Sequence, residues 1–393
     1  MRICFLFFSF LLLITALYAQ EKNPQKLSPF IAEVQYSAGK VAPVYGDFPK
    51  TTFANGAEVY LGWQTDGSKR WHKLFNYPRL GVSFIYQHLG NNKVLGEQYS
   101  VVPTVYFRTG KKENAKVFAE FRYGLGLACF TRPFDTLENK KNFGAGSGFT
   151  WQYTVGANLR WNISRHIGLN LGAIWYHASN AHTQLPNVGV NNFAVYFGML
   201  VYPNGRIIRS HDKDTVGLDK KWHLNVRFGS GWHEMGHAFG PVGGKKYPVY
   251  TGAIYTSRRL AKVITAKIGF MYRYYPLYKT FLQREKVFDS KLTLRSSAFV
   301  VFVGADFLLG RFAISLEAGV NVYKPAYKSF HDFYETGSKF SFYTKQYLAT
   351  RFGLNYYLLD PYLHPRNNVF LGAYVSANSG QAEFLELNIG YVW

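Results

Sequence analysis

The chain has 393 residues, a formal net charge of +22, 18% aromatic residues and two cysteines. Cys4 lies in an apolar run at the start, so an exported form would keep Cys129 alone, which excludes an intramolecular disulfide framework. With 30 Tyr, 34 Phe and 37 Gly but no later apolar run long enough for a spanning helix, the composition argues against a helical membrane protein and suits strands in lipid better than a secreted β-sandwich.

In chain order, Met1 and Arg2 precede the apolar residues Ile3 to Tyr18, with small residues at Ala16 and Ala19. This has the three parts of a secretory signal, so residues 1–19 are expected to be removed after Ala19. The run is short for a span, and no Cys follows the cleavage point, which disfavours a lipoprotein. The basic balance attracts anionic surfaces, and export makes nucleic acid a poorer partner than phosphorylated glycolipid.

After a polar lead the sequence falls into runs of about ten residues with period-two alternation, separated by turns rich in Gly, Asn, Lys and Asp. In a first unit, 20–204, strands are expected near 29–38, 56–63, 79–89, 99–108, 116–127, 147–161, 166–178 and 192–202. The alternation puts Val117, Ala119, Phe121, Tyr123, Leu125 and Leu127 on one face, and Glu120, Arg122, Gly124 and Gly126 on the other. An apolar outside and a polar or small inside is what a barrel wall in lipid requires.

Residues 205–221 form a charged connector without alternation. Strands then resume in a second unit, 222–393, near 222–231, 248–258, 264–274, 295–307, 312–323, 345–358, 368–378 and 383–393. Leu171 to Asn180 aligns without gaps on Leu371 to Gly380, so the halves read as copies of one eight-stranded repeat. The end, Leu385 to Trp393, is apolar at every second place with a terminal aromatic, and resembles the C-terminal signal of bacterial outer-membrane barrels. The expected fold is therefore an all-β outer-membrane antiparallel barrel protein of about sixteen strands. Bulky inward positions such as Ile174, Tyr176, Val300 and Phe302 favour two tandem eight-stranded barrels over one sixteen-stranded barrel.

Chemistry concentrates at the end of the seventh strand. His177 and Ser179 are two apart and share a face, a base and a hydroxyl that can act together. Parity places them in the outward row with Leu171, Ala173 and Trp175, a row expected to face lipid. If the mature N-terminus lies in the periplasm, the seventh strand runs outward and the pair stands at the outer rim. Asn191 begins the partner strand with outward parity, beside His177, where its amide oxygen can accept from the ring. Asn192 points inward. Asn187 and Asn180 offer amide donors for an oxyanion. In the second repeat Ala377 stands where His177 does, so Ser379 lacks a base and that copy is expected to be silent.

The run His177-Ala178-Ser179-Asn180, then Pro186-Asn187-Val188-Gly189 and Asn191, resembles the pattern of the PagL-type lipid A 3-O-deacylases, which are eight-stranded outer-membrane barrels. The resemblance implies His177 as base, Ser179 as nucleophile and Asn187, with help from Asn180, at the oxyanion. It also implies lipid A of the outer-leaflet lipopolysaccharide as substrate, and no cofactor. The third member in that family is typically Glu. Asn191 carries no charge to stabilise an imidazolium, which implies lower activity rather than none.

A second motif, His233-Glu234-Met235-Gly236-His237, matches the His-Glu-x-x-His of zinc proteases, but glycines crowd it and an external loop is expected there. Metal-independent hydrolysis is the expectation. Lys111-Lys112, Lys140-Lys141 and Lys245-Lys246 fall in expected turns, where the external pair Lys140-Lys141 could meet glycolipid phosphates. The rival readings are an outer-membrane phospholipase and a porin or structural barrel with a decayed site.

Overall fold

The computed structural model describes residues 30–110, 115–206, 217–234, 236, 238–240, 242–334, 339–378 and 381–393. The expected signal, Lys111-Lys112, most of the charged connector, His237 and Ser379 lie outside the described residues.

Among the described residues sixteen strands form two closed antiparallel barrels of eight strands each. The first comprises β1 (Phe30–Val41), β2 (Ala54–Gln64), β3 (Arg79–His88), β4 (Glu97–Arg108), β5 (Val117–Phe130), β6 (Phe149–Asn162), β7 (Ile167–Ser179) and β8 (Val190–Val201). The second comprises β9 (Trp222–Glu234), β10 (Lys246–Ala261), β11 (Ile264–Tyr274), β12 (Ser297–Leu309), β13 (Phe312–Tyr323), β14 (Leu348–Tyr357), β15 (Asn368–Asn378) and β16 (Gln381–Val392). Pairing of β1 with β8, and of β9 with β16, closes each ring and leaves no open edge.

The alternation read from the sequence is the wall of each barrel. Glu33, Arg79, Glu120, Arg122 and Arg160 are buried inside the first, while Phe121, Leu159, Leu171 and Phe197 stand exposed outside. Charges inside so narrow a ring must pair. Arg79 donates to Glu33 and Glu120, each at 3.0 Å, Arg160 reaches Glu120 at 2.6 Å, and Arg122 reaches Glu58 at 2.7 Å. The second barrel repeats the device, with Glu317 held by Arg227, Lys267 and Arg351. Ile174, Tyr176, Val300 and Phe302 point inward and are buried, and they help to fill two narrow interiors.

Both barrels begin and end at one rim, where residues 163–166 join β6 to β7 and residues 262–263 join β10 to β11. Trp63, Trp161, Trp222 and Trp393 are exposed near that rim, as an aromatic girdle at an interface would be. The opposite rim carries the long connections. Those of the second barrel contain the helices Pro276–Arg284, Pro325–Tyr334 and Lys339–Tyr347, which the strand pattern did not announce. The expected strand 345–358 accordingly begins at Leu348, because residues up to Tyr347 are helical. Leu277, Tyr278, Phe281 and Phe330 from these helices pack with Tyr275 and Phe384 as a cap on that mouth.

The barrels touch at both rims. Near the short turns, Trp71 of the first packs with Leu308, Ala313 and Tyr362 of the second. Gly310 has φ +68° there, and a Cβ on it would lie 2.7 Å from Trp71 Nε1, so the close approach requires glycine. At the long-loop rim, backbone hydrogen bonds join residues 182–187 to residues 234–238.

Candidate active site

β7 and β8 pair in a register that sets His177 directly opposite Asn191. His177 Nδ1 lies 2.8 Å from Asn191 Oδ1, and the indole N–H of Trp175 donates to the same oxygen at 3.1 Å. An indole nitrogen only donates, so the shared atom must be the amide oxygen. That oxygen cannot donate back, so Nδ1 carries the ring proton and Nε2 keeps its lone pair. Two strands thus orient the ring and select its tautomer. Trp175 lies in the outward row read from the sequence, but alternation gives it no role beyond that place.

Ser179 ends β7. Its Oγ accepts from the backbone N–H of Ala181 at 3.2 Å and from Nδ2 of Asn187 at 2.9 Å, and no hydrogen bond joins it to the His177 ring. The Ala181 donor is aimed back by an unusual turn, since Ala181 has φ +55° and His182 φ +68°. Adjacent non-glycine residues in that region store strain, commonly where function uses the geometry.

Asn187 is buried, and its own Oδ1 accepts from Asn180 N–H at 3.2 Å. Both ends of its amide are therefore specified, and Nδ2 is turned to the serine. Asn180 sits differently. Its Nδ2 donates to Gln184 O at 2.7 Å and Ser147 Oγ at 3.2 Å, away from the Ser179 hydroxyl. Asn192 is buried and points into the barrel, as parity required. Gly189, at φ +83°, passes so close to the ring that a Cβ on it would be 3.0 Å from His177 Cε1.

The surroundings differ from an open lipid face. Leu171 is 61% exposed, but His177, Ser179 and Asn191 are each only partly exposed. The reason is the second barrel. A groove of about 1120 Å³ runs between the two walls, lined by His177, Ser179 and Asn187 at its polar end. The expectation that this row faces lipid is corrected at its upper end, which faces the neighbouring barrel, whereas lower residues such as Leu171 stand exposed.

The second barrel also grips the loop that carries Asn187. Glu234 accepts from Leu185 N–H at 2.7 Å and also from Gly244 N–H, while its own N–H donates to His182 O at 3.1 Å. Asn187 N–H donates to Ala238 O at 2.7 Å. The other side of the loop is stitched to the first barrel, where Val188 and Gly189 donate to Phe143 O and Gly144 O at 2.9 and 3.1 Å. His233 and Glu234 thus extend β9 as a strand instead of lying in a loop, and adjacent strand residues point to opposite faces. Among the described residues no group of three His, Cys, Asp or Glu side chains could hold a metal.

Comparison with known proteins gives two adjoining family matches. The lipid A 3-O-deacylase (PagL) family matches residues 55–200, and the acyloxyacyl hydrolase C-terminal domain matches residues 221–393. No curated protein matches the chain. Among solved structures, the outer membrane enzyme PagL aligns at 17% identity and a TM-score of 0.30, over 42% of this chain and 97% of its own. Neisserial surface protein A aligns at 12% identity and a TM-score of 0.31, over 44% of this chain and 97% of its own. The N-terminal β-barrel domain of Pseudomonas aeruginosa OprF aligns at 8% identity and a TM-score of 0.27, over 44% of this chain and 98% of its own.

Proposed function

We propose, from the match of residues 55–200 to the lipid A 3-O-deacylase family and of residues 221–393 to the acyloxyacyl hydrolase C-terminal domain, that the chain is an outer-membrane serine esterase that removes an ester-linked acyl chain from lipid A. Ser179 is the nucleophile and His177 the general base. Asn191 holds the base, and Asn187 with the Ala181 N–H stabilises the oxyanion. The catalytic unit is the repeat 20–204, exported by the signal 1–19 and joined through 205–221 to the repeat 222–393, where Ala377 replaces the base.

The observation that carries this reading is the pair of oriented contacts, His177 Nδ1 to Asn191 at 2.8 Å and Asn187 Nδ2 to Ser179 Oγ at 2.9 Å. With Nδ1 protonated, Nε2 can take the Ser179 proton as Oγ adds to the ester carbonyl. The carbonyl oxygen gains charge beside two N–H donors already gathered at the serine. Collapse expels the sugar hydroxyl, which takes the proton back from Nε2, and leaves an acyl-serine. Water, deprotonated by the same nitrogen, then releases the fatty acid. The ring and hydroxyl close to hydrogen-bonding distance when the ester is bound, as catalytic contacts in free enzymes commonly do.

Asn191 accepts the ring N–H without adding negative charge, so the imidazolium formed in each step is less stabilised than beside a carboxylate. A pore is opposed by interiors occupied by Tyr60, Arg79, Tyr106, Tyr196, Arg227 and Tyr374, all fully buried. Mass spectrometry of lipid A from cells lacking the protein, carrying it, and carrying Ser179→Ala tests the proposal. Loss of one acyl chain only with the unsubstituted protein is expected. Identical lipid A in all three removes the enzyme reading, and release of fatty acid from glycerophospholipids alone makes the protein a phospholipase.

A further inference from the structure

The repeat that lacks a base still faces the site, and its outward residues are graded by depth. At the level of Ser179, one lateral row of the second barrel runs Val303, Ala318, Thr350, Ala377 and Ala382 across paired strands. These are small or short, and all line the groove. The next row down is Ala305, Leu316, Phe352 and Val375, which is bulkier. On the first barrel, Trp151 and Ser179 share the upper row, and Leu125, Tyr153 and His177 the row below.

The groove therefore has a polar mouth at Ser179 and Asn187, apolar walls contributed by both barrels, and a definite end. Phe352 reaches across to Tyr153 at 5.4 Å and Tyr123 at 6.3 Å between ring centroids. Tyr123 lies below Leu125 on β5, so these three rings close the space beneath the groove. A site lined mainly by apolar residues, with His177, Ser179 and Asn187 converging at one end, fits a flexible hydrocarbon with a single reacting carbonyl.

We propose that the acyl chain of the ester occupies this inter-barrel groove, carbonyl at Ser179 and tail toward Phe352, so that the second barrel selects the chain length. The inference rests on the esterase reading and goes beyond it, because it assigns specificity to a barrel with no catalytic base. Ala377 is consistent with this use: the place that holds a base in the first repeat holds only a methyl group in the second, which leaves the wall open opposite the serine.

The test uses the full chain refolded in detergent micelles, with p-nitrophenyl octanoate, laurate, myristate and palmitate as probes. Val375→Trp and Ala377→Trp fill the groove, and each is expected to lower the palmitate-to-octanoate ratio of kcat/KM about tenfold. Phe352→Ala removes the floor and is expected to raise that ratio. Phe228→Ala, exposed on β9 away from the groove, keeps the unsubstituted profile. The resistance of each folded barrel to SDS on unheated gels identifies any variant that fails to fold, and two independent fillings keep the test alive if one does. Unchanged ratios in the folded groove variants, with Ser179→Ala inactive, overturn the groove assignment while leaving the esterase reading intact. Activity surviving in Ser179→Ala overturns the esterase reading itself.

Discussion

Trp175 donates its indole N–H to Oδ1 of Asn191 across 3.1 Å, and this contact decides how the Asn191 amide is turned. Were the amide reversed, two N–H donors would face each other and His177 would lose its acceptor. Trp175→Phe keeps the ring that stacks with Phe193 but removes the donor. It is expected to lower kcat about tenfold, the worth of roughly one hydrogen bond, with little change in KM. Asn191→Ala removes the acceptor itself and is expected to cost on the order of a hundredfold. Equal activity of Trp175→Phe and the parent protein would show that the indole does not orient the amide.

Ser179 and His177 act on the same proton, so their substitutions should not add. Ser179→Ala, His177→Ala and the double variant are expected to have the same residual hydrolysis, measured as fatty acid released per barrel. A double variant much slower than either single one would mean that the two side chains work separately.

Gly189 tests how tightly the ring is confined. An alanine there would be strained at φ +83° and would press on His177 Cε1. Gly189→Ala is expected to cost about 1 kcal/mol or more of stability and to lower kcat by displacing the imidazole. Retention of full activity would show that the ring has room to retreat.

Glu234 gives the zinc-protease-like motif a different use. Its carboxylate holds Leu185 N–H and Gly244 N–H, so it ties the loop bearing Asn187 to the second barrel. Glu234→Ala is expected to lower kcat several-fold and to speed hydrogen exchange in residues 180–187, since an unfixed loop aims its amide poorly. Added zinc is expected to have no effect. Slow exchange with full activity would remove the clamp.

Inside the first barrel, Glu120 bridges Arg79 and Arg160. Glu120→Ala leaves Arg79 with Glu33 as its one carboxylate partner and removes the carboxylate nearest Arg160, and it is expected to cost about 3–5 kcal/mol in urea unfolding from micelles. A shift of under about 1 kcal/mol would mean that water or other side chains replace the carboxylate.

The strands and the outward set of site residues were legible because a barrel wall in lipid imposes strict alternation along every strand. Parity alone put His177, Ser179 and Asn191 on one surface, and register then made His177 and Asn191 direct neighbours. The helices over the second barrel leave no trace in a period-two pattern. Pro276 followed by Leu277, Tyr278, Phe281 and Leu282 carries a helical start and spacing that a period of 3.6 would have caught.

Alternation, turn composition and internal repetition are local properties, and from them the chain by itself determined two copies of an eight-stranded wall with a base, a hydroxyl and an amide at one strand end. Which barrel covers that end depends on contacts between residues far apart in sequence, such as Leu185 with Glu234 and Tyr153 with Phe352. No periodicity records those. Only the tertiary structure could turn an exposed row into one side of a groove, because packing of two closed surfaces is set by their shapes and not by the pattern that built either one.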